Sequence, residues 1–331
     1  MRRSAGLAAA AGAVVLAAAA ITVGDADAAI PAGVCPSGAV FGNPLPAPAT
    51  TATRVVGGFS FLEGPVWDAR SGTLLMSDLR GAEGRDRVQP ADILRFTPPA
   101  TVQTFVRNSG SNGLALSVDG TSILAGTHDE RSVSTFALAD GARGEIAGRF
   151  GSGRFNSPND LTVRDDGTVY VTDPSFQRGN RDDEQRGVTG VYRIDDGEVS
   201  LVDGTVRQPN GIVLAPDGRT LYVGGNLDDT IFAYPVAADG STGARRVFAR
   251  MDGPDGATVD CAGNIYWASF DDGKVHVFSP AGQELGTVSA GRNTTNAAFG
   301  GPDGRTLFVT SGRTGDFGLF SVRLAVPGSP Y

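Results

Sequence analysis

From Arg54 onward, short apolar runs alternate with turn signals in a repeating order. Each unit holds an apolar run, a turn built on Asp-Gly or a similar pair, and a second run rich in β-branched and aromatic residues. That pattern predicts antiparallel strands joined by tight hairpins. Six such units occur: LEGPVWDARSGTLLMSD from Leu62, SNGLALSVDGTSILAGT from Ser111, PNDLTVRDDGTVYVTD from Pro158, PNGIVLAPDGRTLYVGG from Pro209, PDGATVDCAGNIYWAS from Pro254 and TNAAFGGPDGRTLFVTS from Thr295. A third run follows each (ILRFTP, VSTFAL, GVYRID, TIFAYP, KVHVFS, GLFSVR), and a fourth follows five of them (QTFVR, EIAGRF, VSLVDG, RRVFAR, ELGTVS). Four strands in a repeat of 41 to 51 residues predict an all-β fold, a six-bladed β-propeller of four-stranded antiparallel blades. One blade cannot cover its own two faces and must stack on neighbours. The last unit ends before a fourth strand. TRVVGG, at 53–58, stands ahead of Glu63 as QTFVR stands ahead of Asn112, so the N-terminal strand is expected to complete the last blade and close the ring.

Composition agrees and adds boundaries. With 47 Gly and 19 Pro in 331 residues, a mainly helical chain is excluded. Residues 1–29 differ from the rest: Arg2-Arg3, an Ala/Val/Leu run, then Ala26-Asp27-Ala28. They read as an export signal, which implies a secreted or periplasmic protein with no membrane segment after cleavage. Residues 30–53 read as an extended arm or linker, 54–326 as the propeller and 327–331 as a tail. The net charge of -8 is spread without a basic cluster, which argues against a nucleic-acid partner and leaves a small molecule. A closed propeller is expected to be a monomer. Cys35 and Cys261 either pair in an oxidising compartment or remain thiols. With two histidines in the chain, His128 and His276, a histidine-built metal site is not expected, and His276 reads as sheet surface.

The register of the repeat separates turns from candidate site residues. Neighbouring strands run antiparallel, so the start of every innermost strand lies at one end of the ring and the Asp-Gly hairpins lie at the other. At that first position the six units carry Glu63, Asn112, Asn159, Asn210, Asp255 and Asn296, six oxygen-bearing side chains aimed at one axis. Pro216-Asp217-Gly218 is a plain hairpin turn, whereas Pro209-Asn210-Gly211 opens onto the channel mouth. Glu63 is a poor turn former, and a carboxylate near a packed axis is costly unless paired. Glu63, Asn159, Asn210 and Asp255 together offer two carboxylates and two amide oxygens to a divalent cation. All-oxygen ligation favours Ca2+, with Mg2+, Mn2+ and Zn2+ not excluded. Loops after the second strands share the mouth, so Asp78, Arg80, Asp129 and Phe270 are expected along its wall. Asn112, His128, Asp173, Asn226 and Arg313 are the expected substrate-facing set. Asp173 is also expected to orient an amide ligand; a proton shuttle at His128 is the less favoured reading, since no second histidine stands near it in the sequence. The charged loops at 80–90 and 177–187 are candidates for a rim or partial lid.

The motifs EGPVW, NSPNDLTVRDDGTVYVTDP, GVYRIDDG, PNGIVLAPDGRTLYV, GPDGATVDCAGNIYWAS and TNAAFGGPDGRTLFVT resemble the gluconolactonase family that includes senescence marker protein, across residues 54–325. The resemblance implies one catalytic divalent metal, usually calcium, on Glu63, Asn159, Asn210 and Asp255. It also implies hydrolysis of lactones, in particular sugar lactones such as aldonolactones. Asp255, the ring carboxylate flanked by Gly256 and so approachable, is the candidate general base, with a nucleophilic role as the second choice. A non-catalytic propeller that binds a sugar or cell-wall ligand, and a phosphotriesterase-like hydrolase on the same site, are the alternatives. The usual aromatic-rich continuation after TDP is replaced here by Ser175-Phe176-Gln177.

Overall fold

The second strand of each unit shows how the blades are held. In Thr73–Leu79, Leu74 and Met76 pack with Phe308 and Phe317 of the last unit, while Leu75 between them packs with Leu114 and Ile123 of the next unit. Val169 and Val171 likewise face one neighbour, and Tyr170 the other. Alternate side chains leave a strand on opposite faces. A strand covered on both faces therefore reads as an unbroken apolar run, and each face becomes half of an inter-blade core. Among the described residues, six apolar clusters fill the six junctions of the ring.

The computed structural model describes Met1 and residues 35–36, 38–181 and 188–329. It is a six-bladed β-propeller of four-stranded antiparallel blades. The innermost strands are Leu62–Asp68, Ser111–Leu116, Leu161–Val163, Pro209–Leu214, Pro254–Val259 and Thr294–Gly300. Thr53–Phe59 pairs antiparallel with Asp316–Arg323 as the outermost strand of blade six, so the ring closes through the N-terminal strand and that edge is covered.

Four features go beyond the sequence pattern. Within the arm, Ala49–Thr51 adds to blade five as a fifth strand, parallel to Glu284–Ser289, and Leu45 is buried in the blade five–six core. Cys35 and Cys261 form a disulfide. Pro327–Ser329 is packed rather than trailing, since Pro327 accepts from Cys261 N and Ser329 N donates to Val259 O. A small extra hairpin, Arg149–Phe150 with Gly153–Arg154, sits between blades two and three. The expected export signal lies outside the described residues apart from Met1.

Candidate metal centre and active site

Five of the six innermost strands start irregularly, and their ring residues lie within or beside the irregularity. Pairing shifts between Ser111 and Leu114, between Pro209 and Ile212, and between Pro254 and Ala257, which takes Asn112, Asn210 and Asp255 out of the ladder. In blade one the shift falls between Glu63 and Val66, and in blade six between Thr294 and Asn296. Bulges of this kind turn a side chain away from the ordinary pleat and recur beside active sites. Here they fall at five of the six strand starts.

Glycine follows the ring residue where strands crowd. A Cβ on Gly211 would strike the Asp255 carbonyl, and one on Gly64 would strike the carbonyl of Asn112. Hydroxyl and indole groups on the first and second strands fix the same backbone. Ser77 Oγ donates to Asn112 O at 2.7 Å, Thr295 Oγ1 to Leu62 O at 2.7 Å and Trp267 Nε1 to Asp255 O at 2.9 Å. Each ring residue named there is held by its backbone, leaving its side chain to the channel.

The six ring side chains are all buried, none more than 6% exposed. Glu63 is pushed up to about 8, first by burial and then by the negative charge of Asp160. Asp255 is raised well above the usual carboxylate range, again by burial first, then by the charges of Glu63 and Asp160. The Asn210 side chain donates to it, yet Asp255 Oδ1 is buried without a partner, as are both side-chain polar atoms of Asn112. Leaving such atoms unsatisfied is unfavourable by roughly 1–3 kcal/mol each.

Asp160 is the residue sequence reasoning missed. It is buried, raised to about 7 mainly by desolvation, and lies 3.5 Å from Asn296 Nδ2 of the opposite blade. A signal for it was present. The position after the ring residue is Gly in four units and Ala in one, and only blade three places a charge there. Asp160, Asn296 and Gly64 border a cavity of about 250 Å³ that runs down the axis to the hairpin end, where Arg164, Asp217 and Ser329 line it.

An all-oxygen donor set, crowded carboxylates and orphaned polar atoms fit a hard divalent cation at the ring. No group of three or more His, Cys, Asp or Glu among the described residues is arranged to hold a metal ion. Any such cation must therefore draw on the amide oxygens as well as on Glu63 and Asp255.

The expected wall residues divide. Asn226 is half-buried, its Nδ2 3.5 Å from Pro254 O beside Asp255, and Arg313 is exposed at the mouth end of blade six. Asp173 is fully buried and does not orient the Asn159 amide. Its carboxylate accepts from Asn156 N and Ser157 N, both at 2.8 Å, so it anchors the loop that leads into Asn159 and has no face for substrate.

His128 is likewise fully buried. Its Nε2 meets Gln89 O at 2.6 Å, so Nε2 is the protonated nitrogen. Desolvation lowers it from 6.5 to about 4, and a ring kept neutral at physiological pH is not a shuttle. Between those two values the unfolded chain binds a proton that the folded chain refuses, so stability falls as pH drops through the window. His128→Gln is expected to flatten the acid limb of the urea midpoint between pH 6.5 and 4. An unchanged limb would assign it to other groups.

The two charged loops meet. Asn180 N donates to Asp86 O at 2.8 Å, and Arg181 reaches the carbonyls of Asp129 and His128. They form one rim over blades one to three; residues 182–187 of the second loop lie outside the described residues.

One end of the propeller channel thus carries a ring of buried oxygen-bearing side chains, one from each blade. Residues 61–313 match the SMP-30/Gluconolactonase/LRE-like region, and the chain belongs to that family. It is 30% identical to a gluconolactonase of Zymomonas mobilis over 75% of either chain. It is also 30% identical to a 6-deoxy-6-sulfogluconolactonase of Pseudomonas putida, over 80% of this chain and 92% of that one. Among solved structures, a Xanthomonas campestris gluconolactonase superposes with a TM-score of 0.70 at 29% identity, covering 83% of this chain and 89% of that one.

Proposed function

We propose that the chain is a lactone hydrolase that works with one divalent cation, most simply Ca2+, and that it acts after export. The observation that carries this reading is the meeting of Glu63, Asp160 and Asp255 in one buried space, beside amide and carboxylate atoms that lack partners. Carboxylates repelling one another out of water are unfavourable in a structure that has no use for them. Names of relatives such as gluconolactonase and 6-deoxy-6-sulfogluconolactonase support lactones as the substrate class. The disulfide supports an oxidising compartment.

In this mechanism Glu63, Asn159, Asn210 and Asp255 would hold the cation, which when bound polarises the lactone carbonyl and stabilises developing negative charge. Asp255 takes a proton from the attacking water as its oxygen bonds to the carbonyl carbon. The ring C–O bond then breaks, and the leaving alkoxide takes the proton held by Asp255, which gives the hydroxy acid and restores the base. Trp267 and Asn210 keep Asp255 in place through its carbonyl and carboxylate. Asn296, which donates to Glu63, holds the second carboxylate.

The test is acid release from a panel of aldonolactones by chelator-treated protein with and without added Ca2+, alongside its melting temperature. The expected result is cation-dependent hydrolysis together with stabilisation, about 2.7 kcal/mol at a hundredfold excess over Kd. Stabilisation without hydrolysis of any lactone would favour a binding propeller, and neither effect would remove the cation from the reading.

A further inference from the structure

The rim that surrounds the polar ring is apolar on two opposite sides. On one side, Phe61 lies two positions before Glu63, with its ring centroid 6.2 Å from that of Phe270. Phe270 N donates to Gly253 O at 3.2 Å, and its carbonyl accepts from Asn293 Nδ2 at 3.1 Å. The pair therefore spans the mouth end of blade six, and both residues are half-buried.

On the far side stand Phe176, 42% exposed, and Leu227, 52% exposed. Their loops are pinned to one dipeptide, Arg207-Gln208, immediately ahead of Pro209-Asn210. Ser175 N donates to Gln208 Oε1 and Gln208 Nε2 to Ser175 Oγ, both at 2.9 Å. Leu227 N donates to Arg207 O at 3.3 Å and Asn226 N to Gln208 O at 3.1 Å. Blades three and four, which carry this second pair, face blades six and one across the axis.

Four of the polar side chains expected along the wall are engaged elsewhere. Asp78 accepts from Ser60 N and Phe61 N at 2.9 Å, and Arg80 is paired with Asp92 at 2.8 Å. Asp129 is paired with Arg143 at 2.8 Å, and Asp173 serves the 156–157 loop. At those four positions a polyhydroxylated ring would exchange water for few new hydrogen bonds, and unpaired polar groups are a strong source of rejection. An alkyl or aryl group would instead cover exposed phenylalanine and leucine.

We propose that this rim selects lactones carrying an apolar alkyl or aryl substituent over polyhydroxylated lactones, and that Phe176, Leu227 and Phe270 are its specificity-determining residues. The proposal rests on the lactone-hydrolase reading and narrows its substrate class.

The test measures kcat/KM, with Ca2+ present, for unsubstituted δ-valerolactone, its 5-alkyl homologues up to a five-carbon chain, an aryl-fused lactone and glucono-δ-lactone. Burial of a methylene is worth about fourfold, so with part of the chain covered the series is expected to climb roughly two- to fourfold per carbon, mainly through KM. The double variant Phe176→Ser, Leu227→Ser removes two exposed side chains that the core does not use. It is expected to flatten the slope and to lower the ratio of the longest homologue to glucono-δ-lactone at least about tenfold. A flat series with glucono-δ-lactone preferred would overturn this inference and leave the hydrolase reading standing. A slope unchanged in the double variant would overturn the assignment to these residues. Failure to open any lactone would remove both.

Discussion

Asp255→Asn is expected to give a folded protein that has lost about 10² to 10⁴ of its lactone turnover, the range a positioned general base contributes. The fold should survive because Asp255 is held mainly by its backbone, through the 2.9 Å bond from Trp267 Nε1 to its carbonyl. Its Oδ1 has no partner to lose. Without a cation the variant should be at least as stable as the parent, because an amide relieves the repulsion that Glu63 and Asp160 impose on this carboxylate. Stability held or gained while turnover collapses is the signature of a group kept for chemistry. Turnover, the urea midpoint and Ca2+ affinity measured on the same preparation separate the possibilities. A variant with more than about a tenth of parental activity at saturating Ca2+ would exclude Asp255 as the base. A variant that no longer unfolds cooperatively would mean that the carboxylate is structural. Glu63→Gln provides the contrast, with its main loss expected in cation affinity.

The blades were legible in the sequence because burying both faces of a strand forces a pattern that a single chain displays. Leu74, Leu75 and Met76 are apolar in succession since they serve two cores. The ring was legible for a related reason: the antiparallel meander fixes which end each strand start occupies. Glu63 and Asp255, almost two hundred residues apart, are close enough for their charges to act on each other.

What stayed hidden was the use to which polar side chains are put. Asp173 and His128 stand at the expected positions along the chain, yet each is spent on a neighbouring loop, Asp173 on Asn156 and Ser157, His128 on Gln89. Such commitments depend on which backbone donor or acceptor lies within reach, a tertiary fact with no periodic trace. Asp160 did leave a trace, because it breaks a pattern at a fixed place in the unit. The arm left none. Ala49–Thr51 is too short and too plain to announce a fifth strand, and it becomes one through the exposed edge of blade five.

That arm leads to the second large effect. Replacing Cys35 or Cys261 by Ser is expected to lower the free energy of unfolding by several kcal/mol. The disulfide joins residues 226 apart, and the loop-closure model assigns a cross-link of that span about 5 kcal/mol of lost denatured-state entropy. Its placement adds a second contribution. Blade six owes its outer strand to Thr53–Phe59, and peeling that strand away is the natural first step in opening the ring. Immediately upstream the chain is fastened to blade five by the Ala49–Thr51 pairing, by buried Leu45 and by the disulfide. The closing strand is thus anchored on its N-terminal side as well as through Leu62 of blade one. Without the disulfide the arm keeps its strand pairing and the bond from Ala325 N to Pro44 O, so loosening should start at residue 35 and spread toward Thr53. Limited proteolysis should show the arm cut before any blade, and equilibrium urea unfolding should show the lower midpoint. Cys261 lies in a hairpin at the end of the ring opposite Glu63 and Asp255, so kcat/KM of the folded variant should stay within about twofold of the parent. A stability loss below about 1 kcal/mol would show that strand pairing and Leu45 alone hold the arm, and that the ring closes without its covalent brace.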